Sequence, residues 1–446
     1  MHQSSPAFDY ARSFRCIGSA CEDTCCRIWN VPIDQATYEK YGTLPAGPLR
    51  ELIEASVLLS PPGAYGSRAS TSATFATIRM SESNQCPMLS ADRLCRIQQE
   101  CGEQFLSVTC ATYPRIIQSI AGIEETALAL SCPEAARLVL LDLGLLNQAA
   151  SVTPLEGNPA GEANPSLLSW FNPIRQTTFA LLRNRVYPLW QRLFLMGVLC
   201  RRLDSIAQGE LARSVPAFLL DFDATVASGA LHTAMATLPL DRAAQLDAVL
   251  RLAGMLLNRS NITPRFVECI QAFTAGIGNG PAATLDSLTA HYSHAHDSYY
   301  APFFDRHPYI LENLLMNTIV RCRFPFGREE MRAGTIQATP DSPTSLTRQF
   351  ALLTAQFALI KGLLIGVAGY HRAHFSTAHV VHTVQAASKH FEHHPEFLNM
   401  AHVLLVESGL DGARGLAILL RNAAPTAPSP PSPEKYAPSP QAGTAV

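Results

Sequence analysis

The chain has 446 residues, and its formal net charge at pH 7 is only −2. Hydrophobic residues make up 47% of it and charged residues 16%, a balance typical of two or three compact domains with large buried interiors. No basic stripe is available to follow a phosphate backbone, so the composition excludes a general nucleic-acid binder.

Residues 1–150 form the first predicted domain, which is rich in cysteine. Its opening residues are polar and lack the apolar stretch of a secretory signal, so we expect a cytoplasmic protein with reduced thiols. Hydrophobic spacing predicts helices over 34–41, 48–59, 92–105 and 133–145. It also predicts a β-like run over 74–80 and a hairpin formed by 115–120 and 124–131.

A linker rich in proline and glycine, residues 151–166, leads into a helical domain over 167–423. Its predicted helices cover 172–205, 211–228, 241–257, 263–274, 308–323, 347–369 and 377–390. Residues 351–370 have about the length of a membrane span, but Lys361 near the middle favours a buried core helix, so we expect no membrane partner. The last segment, 424–446, is rich in proline and is predicted to be a disordered tail.

Eight of the twelve cysteines lie in the first domain near polar or turn-type residues, a pattern that indicates metal ligands. They are Cys16, Cys21, Cys25, Cys26, Cys86, Cys95, Cys110 and Cys132. The adjacent Cys25 and Cys26 do not fit a zinc knuckle, because neighbouring side chains point in different directions. Two metal centres or one polynuclear cluster are easier to build. The C-x₃-C-x₂-C spacing of radical-SAM enzymes is absent, because Ile28 stands where the third cysteine would follow Cys21 and Cys25.

The remaining four cysteines, Cys101, Cys200, Cys269 and Cys322, lie at helical or apolar positions and are predicted to be core residues.

The cysteine motifs, taken together, resemble those of the flagellin lysine-N-methylases, and the first half also resembles small proteins with a CxxCxxCC-type zinc- or iron-chelating motif. The motifs are Phe14-x-Cys16-x-Gly18-x-x-Cys21-x-Asp23-x-Cys25-Cys26-x-x-Trp29, Cys86-Pro87-x-Leu89-x-x-Asp92-x-Leu94-Cys95-Arg96-Ile97-Gln98, Leu106-Ser107-x-Thr109-Cys110-x-x-Tyr113-Pro114-Arg115 and Ser131-Cys132-Pro133-Glu134. Weaker matches follow around Leu311-Glu312-Asn313 and Leu364-Ile365-Gly366.

This resemblance implies a protein-lysine N-methyltransferase that uses S-adenosylmethionine, acts on flagellin and binds an iron–sulfur cluster, of the 4Fe–4S type rather than zinc. It implies that the eight cysteines are the ligand candidates. The fold we expect is mainly α, with a metal-binding first domain, which contains a small hairpin, packed on the helical domain. A rival hypothesis is a metal-binding interaction module without catalytic activity.

The donor-binding site cannot be derived from the sequence. Residues 276–280 are rich in glycine, but they follow a predicted helix, which favours a flexible loop. Glu312, Asn313 and Arg115 are the catalytic candidates. Asn313 shares a helical stripe with Asn317 and Arg321, which is either solvated or the wall of a polar cavity. Arg115 pairs either with a ligand carboxylate or with an acidic residue of the fold.

Histidines are concentrated late in the chain, and His379/His382 and His390/His394 have spacings found among helical metal ligands. No carboxylate motif accompanies them, so we expect exposed positions on helices. For His291, His294 and His296 we expect a polar loop.

Overall fold

The computed structural model describes residues 9–27, 29, 31–60, 75–120, 123–147, 165–207, 210–258, 261–326, 345–394 and 396–422. The protein is mostly helical, as predicted. The predicted linker, except for its last two residues, and the predicted tail lie outside the described residues, and the division into domains stays a prediction.

The first part of the chain consists of short helices and strands. The helices are α1 (Asp9–Ser13), α2 (Gln35–Gly42), α3 (Pro48–Ser56), α4 (Arg96–Cys101), α5 (Val108–Thr112) and α6 (Pro133–Leu140). The strands are β1 (Val31–Ile33), β2 (Val57–Leu59), β3 (Ala76–Ile78), β4 (Arg115–Ile120) and β5 (Ile123–Leu128). Short 3-10 turns cover Gly18–Ala20, Glu103–Phe105 and Leu145–Asn147.

The second part is helical throughout its described length. Its helices are α7 (Pro165–Arg183), α8 (Leu189–Leu203), α9 (Leu211–Ala227), α10 (His232–Ala236), α11 (Arg242–Leu257), α12 (Pro264–Gly276), α13 (Leu285–Ala295), α14 (Ala301–Arg306), α15 (Pro308–Arg321), α16 (Leu346–His371), α17 (Thr377–Phe391), α18 (Phe397–Glu407) and α19 (Ala413–Leu420). A π-helical turn, His296–Tyr300, joins α13 to α14, and a 3-10 turn, Arg372–His374, follows α16.

Two small antiparallel sheets lie in the first part. One has the strand order β1–β3–β2, and the other is the predicted hairpin of β4 and β5. The predicted helix over 48–59 is wrong at its end, because Val57–Leu59 pairs with β3, with Val57 opposite Ile78. Pairing with a distant strand overrides the local helical pattern there.

The predicted helix over 92–105 is also too long. Its first residues form a turn in which Arg93 has a positive φ of 61°, and the amide of Arg93 donates to the carbonyl of Ser90. Leu89 and Cys95 then form a β-bridge, so the helix begins only at Arg96. Likewise, the predicted helix over 172–205 is two helices, because Pro188 cannot continue α7 and stands immediately before α8.

The interior consists of two hydrophobic cores. The smaller one contains apolar side chains of β1–β3, α3 and α4, together with Cys86. The larger one contains the helical part and extends into the first part of the chain, where it includes Tyr10, Phe14, Leu128 and Val139. The hairpin strand β5 and helix α6 are therefore packed into the helical core.

Helix α16 runs through the larger core, and residues 350–368 are all buried. It is the single helix of the described part that is long and apolar enough to cross a membrane, and its apolar window is entirely buried inside the protein. The predicted buried core helix is thus confirmed. Lys361 donates from Nζ to the carbonyls of Leu419 and Leu420, at 2.7 and 3.2 Å, and so caps the end of α19.

Helices α12 and α16 pack very closely through glycine. A Cβ atom on Gly276 would lie 1.7 Å from the carbonyl oxygen of Gly366, and one on Gly369 would lie 2.7 Å from the carbonyl oxygen of Gly276. The first glycine of the 276–280 run is therefore a helix-packing residue, while Gly278, with a φ of +71°, lies in the turn that follows.

Candidate functional site

The eight predicted cysteine ligands approach one another in the structure. The carbonyl of Cys26 accepts a hydrogen bond from the amide of Cys86 at 2.9 Å, and the β-bridge of Leu89 to Cys95 keeps the second motif compact. Electrostatic interactions connect Cys16 to Cys21, Cys21 to Cys132, and Cys25 to Cys95, Cys110 and Cys132. We call these eight residues the thiol cluster.

Burial and contacts between thiols raise the pKa of several cysteines in the cluster. Contact with Cys26 is the main cause that raises the pKa of Cys25. For Cys26 the same contact acts downward, but the hydrogen bond with Cys86 and burial outweigh it and raise the pKa to about 12. Burial raises the pKa of Cys110 to about 11 and that of Cys132 to about 12. These effects favour the neutral thiol form of Cys25, Cys26, Cys110 and Cys132.

The donor set fits a metal that prefers thiolate. The sulfur atoms of Cys25 and Cys26 lie 4.0 Å apart, close to the roughly 3.8 Å edge of four thiolates arranged tetrahedrally around one ion. Our expectation that the two side chains diverge is therefore wrong. Among the described residues, however, no three Cys, His, Asp or Glu side chains are already arranged to hold an ion. The assignment of ligands stays a prediction.

A buried ion pair attaches the cysteine-rich loop to α17. The Nζ atom of Lys389 lies 2.8 Å from Oδ2 of Asp23 and 2.6 Å from the carbonyl oxygen of Thr24. The amide of Gln385 donates to the same Asp23 oxygen at 2.8 Å. The side chains of Asp23 and Lys389 are only 9% and 3% exposed, so each charge depends on the other.

Trp29 makes a second contact between the cysteine-rich part and the helical part. Its indole donates to the carbonyl of Cys25 at 2.6 Å, and its ring lies 4.8 Å from that of His393. The Nε2 atom of His393 is 3.0 Å from the hydroxyl of Ser131. The amide of Ser131 in turn donates to Glu392 at 3.3 Å.

The polar stripe on α15 is not solvated, so that interpretation is wrong. Asn317 accepts from the amide of Leu128 at 3.0 Å and donates to its carbonyl at 2.8 Å, so it pairs with β5 as another strand would. The Oδ1 atom of Asn317 also accepts from the hydroxyl of Tyr10 at 3.0 Å. Arg321 lies 2.8 Å from Gln356 and 3.4 Å from Glu392. Arg321, Gln356 and Glu392 all line a small cavity of about 10 Å³, which has room for about one water.

The three catalytic candidates all have partners within the fold. Asn313 donates to the carbonyls of Val139 and Asp142 at 3.0 and 2.6 Å. Glu312 is fully buried and pairs with Arg185 and Arg192.

Arg115 donates to the carbonyls of Ala11 and Phe14 at 3.0 and 2.9 Å, and it stacks over the Phe14 ring. It therefore anchors α1 through backbone carbonyls, and neither predicted carboxylate partner is found for it among the described contacts. These contacts account for the three candidates without a substrate.

The late histidines do not all occupy exposed helix faces, which corrects our expectation. His390 is fully buried and stacks on Phe266 at a centroid distance of 4.3 Å. His294 lies on α13, and His296 begins the π-helical turn, so the predicted polar loop is wrong too. The amphipathic spacing of 285–295 was the signal that predicts this helix.

Three histidines meet at an open cleft of about 550 Å³ bordered by α12, α16 and α17. His371 comes from the end of α16, whereas His379 and His382 come from α17. Glu268 and the buried thiol of Cys269 face the cleft from α12, and Tyr370 stands at its edge. We call this feature the histidine cleft. The i, i+3 spacing in the sequence pointed to His379 and His382, but nothing in the sequence grouped His371 with them.

The fold and these two features define a helical protein whose cysteine-rich part is attached to a helical domain with a cleft. The family model of the FliB lysine N-methylase C-terminal domain matches residues 175–419. That range is more than half of the chain and contains the histidine cleft. The chain belongs to the FliB lysine N-methylase family.

Curated relatives agree with this family. Proteins named Lysine-N-methylase from Salmonella typhimurium and Salmonella choleraesuis are each 26% identical over 282 residues, which is 60% of this chain and 65% of theirs. A protein named Flagellar biosynthetic protein FliU from Salmonella muenchen is 31% identical over 140 residues, 31% of this chain and 77% of that one. No solved structure matches the chain significantly.

Proposed function

We propose that the protein is a cytoplasmic lysine N-methyltransferase that transfers a methyl group from S-adenosylmethionine to flagellin. The observation that carries this proposal is the match of the FliB lysine N-methylase C-terminal domain to residues 175–419. The names of the Salmonella relatives, one of which is flagellar, support a flagellar substrate.

Methyl transfer to lysine makes two demands on the protein. The ε-amine must lose its proton before it attacks, because the pKa of a free lysine is about 10.4. The amine nitrogen must then lie in line with the methyl carbon and the sulfonium sulfur of the donor. A proton acceptor beside a cleft open to solvent meets the first demand, and the histidine cleft provides three neutral imidazoles for it.

We further propose that the thiol cluster holds an iron–sulfur cluster, with Cys16, Cys21, Cys25, Cys26, Cys86, Cys95, Cys110 and Cys132 as its candidate ligands. The support is a donor set made of sulfur, which is the ligand type of such clusters. Its candidate ligands come from four separate motifs, whose residues belong partly to the smaller core and partly to the larger one, so a bound cluster would add a connection between these segments. The Asp23–Lys389 pair then fixes that connected unit against α17.

The test is methylation of purified flagellin by the purified protein under anaerobic conditions with iron and sulfide restored. We expect methyl-lysine in the flagellin by mass spectrometry, dependent on S-adenosylmethionine. Absence of methyl-lysine from reactions with folded, metal-loaded protein would refute the proposed activity. Heat-treated protein and a flagellin whose amines have been acetylated are the controls.

The second candidate function is a metal-binding interaction module without transferase activity. One observation favours it: both sheets in the described part are small and antiparallel, unlike the parallel sheet of the doubly wound donor-binding folds. Calorimetric titration with S-adenosylmethionine separates the two functions. Saturable binding supports the transferase, and no binding at millimolar donor supports the module.

A further inference from the structure

The histidine cleft has the size of a site for a small group and opens to solvent. Its volume of about 550 Å³ falls within the range of about 300–1,000 Å³ that ligand sites occupy. Tyr370 at its edge is 53% exposed, and its ring lies 4.9 Å from that of His371. A side chain presented by another protein can therefore enter without any rearrangement of the helices.

The hydrogen bonds of the cleft assign the protons on two of its imidazoles. The Nε2 atom of His382 lies 3.1 Å from the carbonyl oxygen of Arg265, which can only accept, so Nε2 carries the hydrogen. The lone pair of neutral His382 is therefore on Nδ1. For His379 the situation is reversed, because the amide of Ser376 donates to its Nδ1 at 3.2 Å.

His382 is consequently the imidazole best prepared to accept a proton. Its Nε2 hydrogen is already held by a carbonyl, and Oε2 of Glu268 lies 3.7 Å from the same nitrogen. Both groups favour the imidazolium that would form, while burial and Arg265 oppose it and keep the resting ring neutral. His379 uses its lone pair in the cap of α17. The rings of His371 and His379 are stacked at 3.7 Å, which disfavours charge on both.

The charges around the cleft favour a cationic guest. Glu268 is its one carboxylate, and no lysine or arginine is found among the described residues that line it. Arg265 is close to His382 and stays cationic, because its Nε donates to the neutral amide oxygen of Gln385 at 2.8 Å. Burial lowers the pKa of all three imidazoles. His379, His382 and His374 lower the pKa of His371 further, and Arg265 lowers that of His382, so these rings are neutral at pH 7.

We infer that the histidine cleft receives the methyl-accepting lysine side chain of the protein substrate, with His382 as the base that removes its proton. This inference rests on the proposed function and adds to it the place of the reaction. It moves the catalytic role away from Glu312, Asn313 and Arg115, whose contacts are internal.

The chemical step is a proton transfer followed by a displacement at the methyl carbon. The ε-ammonium gives one proton to Nδ1 of His382, and the free electron pair of the amine attacks the methyl carbon of a sulfonium donor. The new N–C bond forms as the S–C bond breaks, and the sulfur keeps the bonding electrons and leaves as a thioether. The product is a methylated ammonium ion, and the proton on His382 passes to solvent.

The first test compares three variants in the flagellin assay. We expect His382→Gln, whose amide can still donate to the Arg265 carbonyl, to lower kcat by about 10²–10⁴-fold with the affinity for S-adenosylmethionine unchanged by calorimetry. Glu268→Gln should mainly raise KM for flagellin. The exposed His291 of α13 gives the matched control His291→Gln, which should keep wild-type kinetics. A His382→Gln protein with wild-type kcat overturns the inference.

A second measurement needs neither donor nor metal and separates this inference from the proposed function. A fluorescent peptide with one central lysine is titrated against the full chain, beside the same peptide with norleucine, which has the same length but no amine. We expect tighter binding of the lysine peptide, and loss of that preference in Glu268→Gln, whose side chain is 61% exposed and cannot disturb folding. Equal binding of both peptides to the wild-type chain contradicts the cleft assignment even if flagellin is methylated. A retained preference in a chain that does not methylate flagellin supports the cleft and rejects the flagellin activity.

Discussion

At the residue scale, the sequence singled out polar side chains on predicted helices but could not identify the groups that they contact. Asn313 and Asn317 form a helical stripe by spacing alone, yet their partners are backbone groups more than 170 residues away. No local pattern contains that information, because the partner strand and helix are positioned by tertiary packing. The same reason explains why His371 could not be grouped with His379 and His382.

His296 in the π-helical turn should make stability depend on pH. Burial is the main cause that lowers its pKa to about 4, with Arg242 and Lys361 acting in the same direction and Asp297 against them. Between about pH 6.5 and pH 4 the unfolded chain binds a proton that the folded chain does not. The free energy of unfolding should therefore fall by roughly 3 kcal/mol as the pH falls through this window.

Urea unfolding at several pH values measures this dependence. His296→Gln should lose part of the slope, because His371, His379 and His382, whose pKa is also lowered, contribute to it as well, whereas exposed His291→Gln should keep all of it. An unchanged slope in His296→Gln would show that other groups titrate in the window.

At the element scale, the sequence located most long helices within a few residues. It gave the wrong secondary structure where pairing with a distant segment determines it. Residues 57–59 continue a helical pattern, and only pairing with 76–78 makes them a strand. The hairpin of β4 and β5 was predictable because both strands and their turn are adjacent in the chain. Helix lengths were also overestimated where a proline or a left-handed residue, such as Pro188 or Arg93, interrupts an apolar run.

The glycine contact between α12 and α16 should tolerate no side chain. In Gly276→Ala the added methyl group meets the backbone of Gly366, so the helices must separate and the histidine cleft between them must change shape. We expect a loss of about 1–3 kcal/mol in the free energy of unfolding together with weaker binding of the lysine peptide. The control is Gly254→Ala in α11, where a Cβ meets nothing within 4 Å and which should be stabilising by up to about 1 kcal/mol. Equal effects of the two substitutions would show that the close approach is not needed.

The ion pair between Asp23 and Lys389 should show a large coupling energy, because each buried charge needs the other. Asp23→Ala leaves the buried Lys389 without its counter-charge, and we expect a loss of about 3–5 kcal/mol in the free energy of unfolding. Adding Lys389→Met should recover part of that loss, since the stranded charge is then gone. Asp221→Ala removes an exposed ion pair with Arg202 and should cost at most about 1 kcal/mol. Additive effects in the double variant would argue against the pair.

At the scale of the whole molecule, two cores of unequal size are joined by the thiol cluster and the contacts around it. The mainly helical class of the fold was predictable from the long runs with helical spacing in the sequence. The packing of β5 and α6 into the helical core was not, since it follows from long-range contacts such as that of Leu128 with Asn317.

Metal binding should stabilise the first part of the chain selectively. We expect anaerobically purified protein to be brown, and Cys86→Ser to lose both colour and iron, with a lower Tm for the smaller core. Cys200→Ser is the control, because that thiol is fully buried in the helical core and is not one of the eight candidate ligands. A colourless wild-type protein that retains stoichiometric zinc would refute the iron–sulfur assignment.

The central claim is that this chain methylates lysine on flagellin. The most direct measurement is mass spectrometry of flagellin co-expressed with the wild-type chain, with His382→Gln, or with neither, in a host that has no lysine methylase of its own. We expect methyl-lysine with the wild-type chain and little or none in the other two samples. Flagellin without methyl-lysine beside folded, metal-loaded wild-type protein would contradict it.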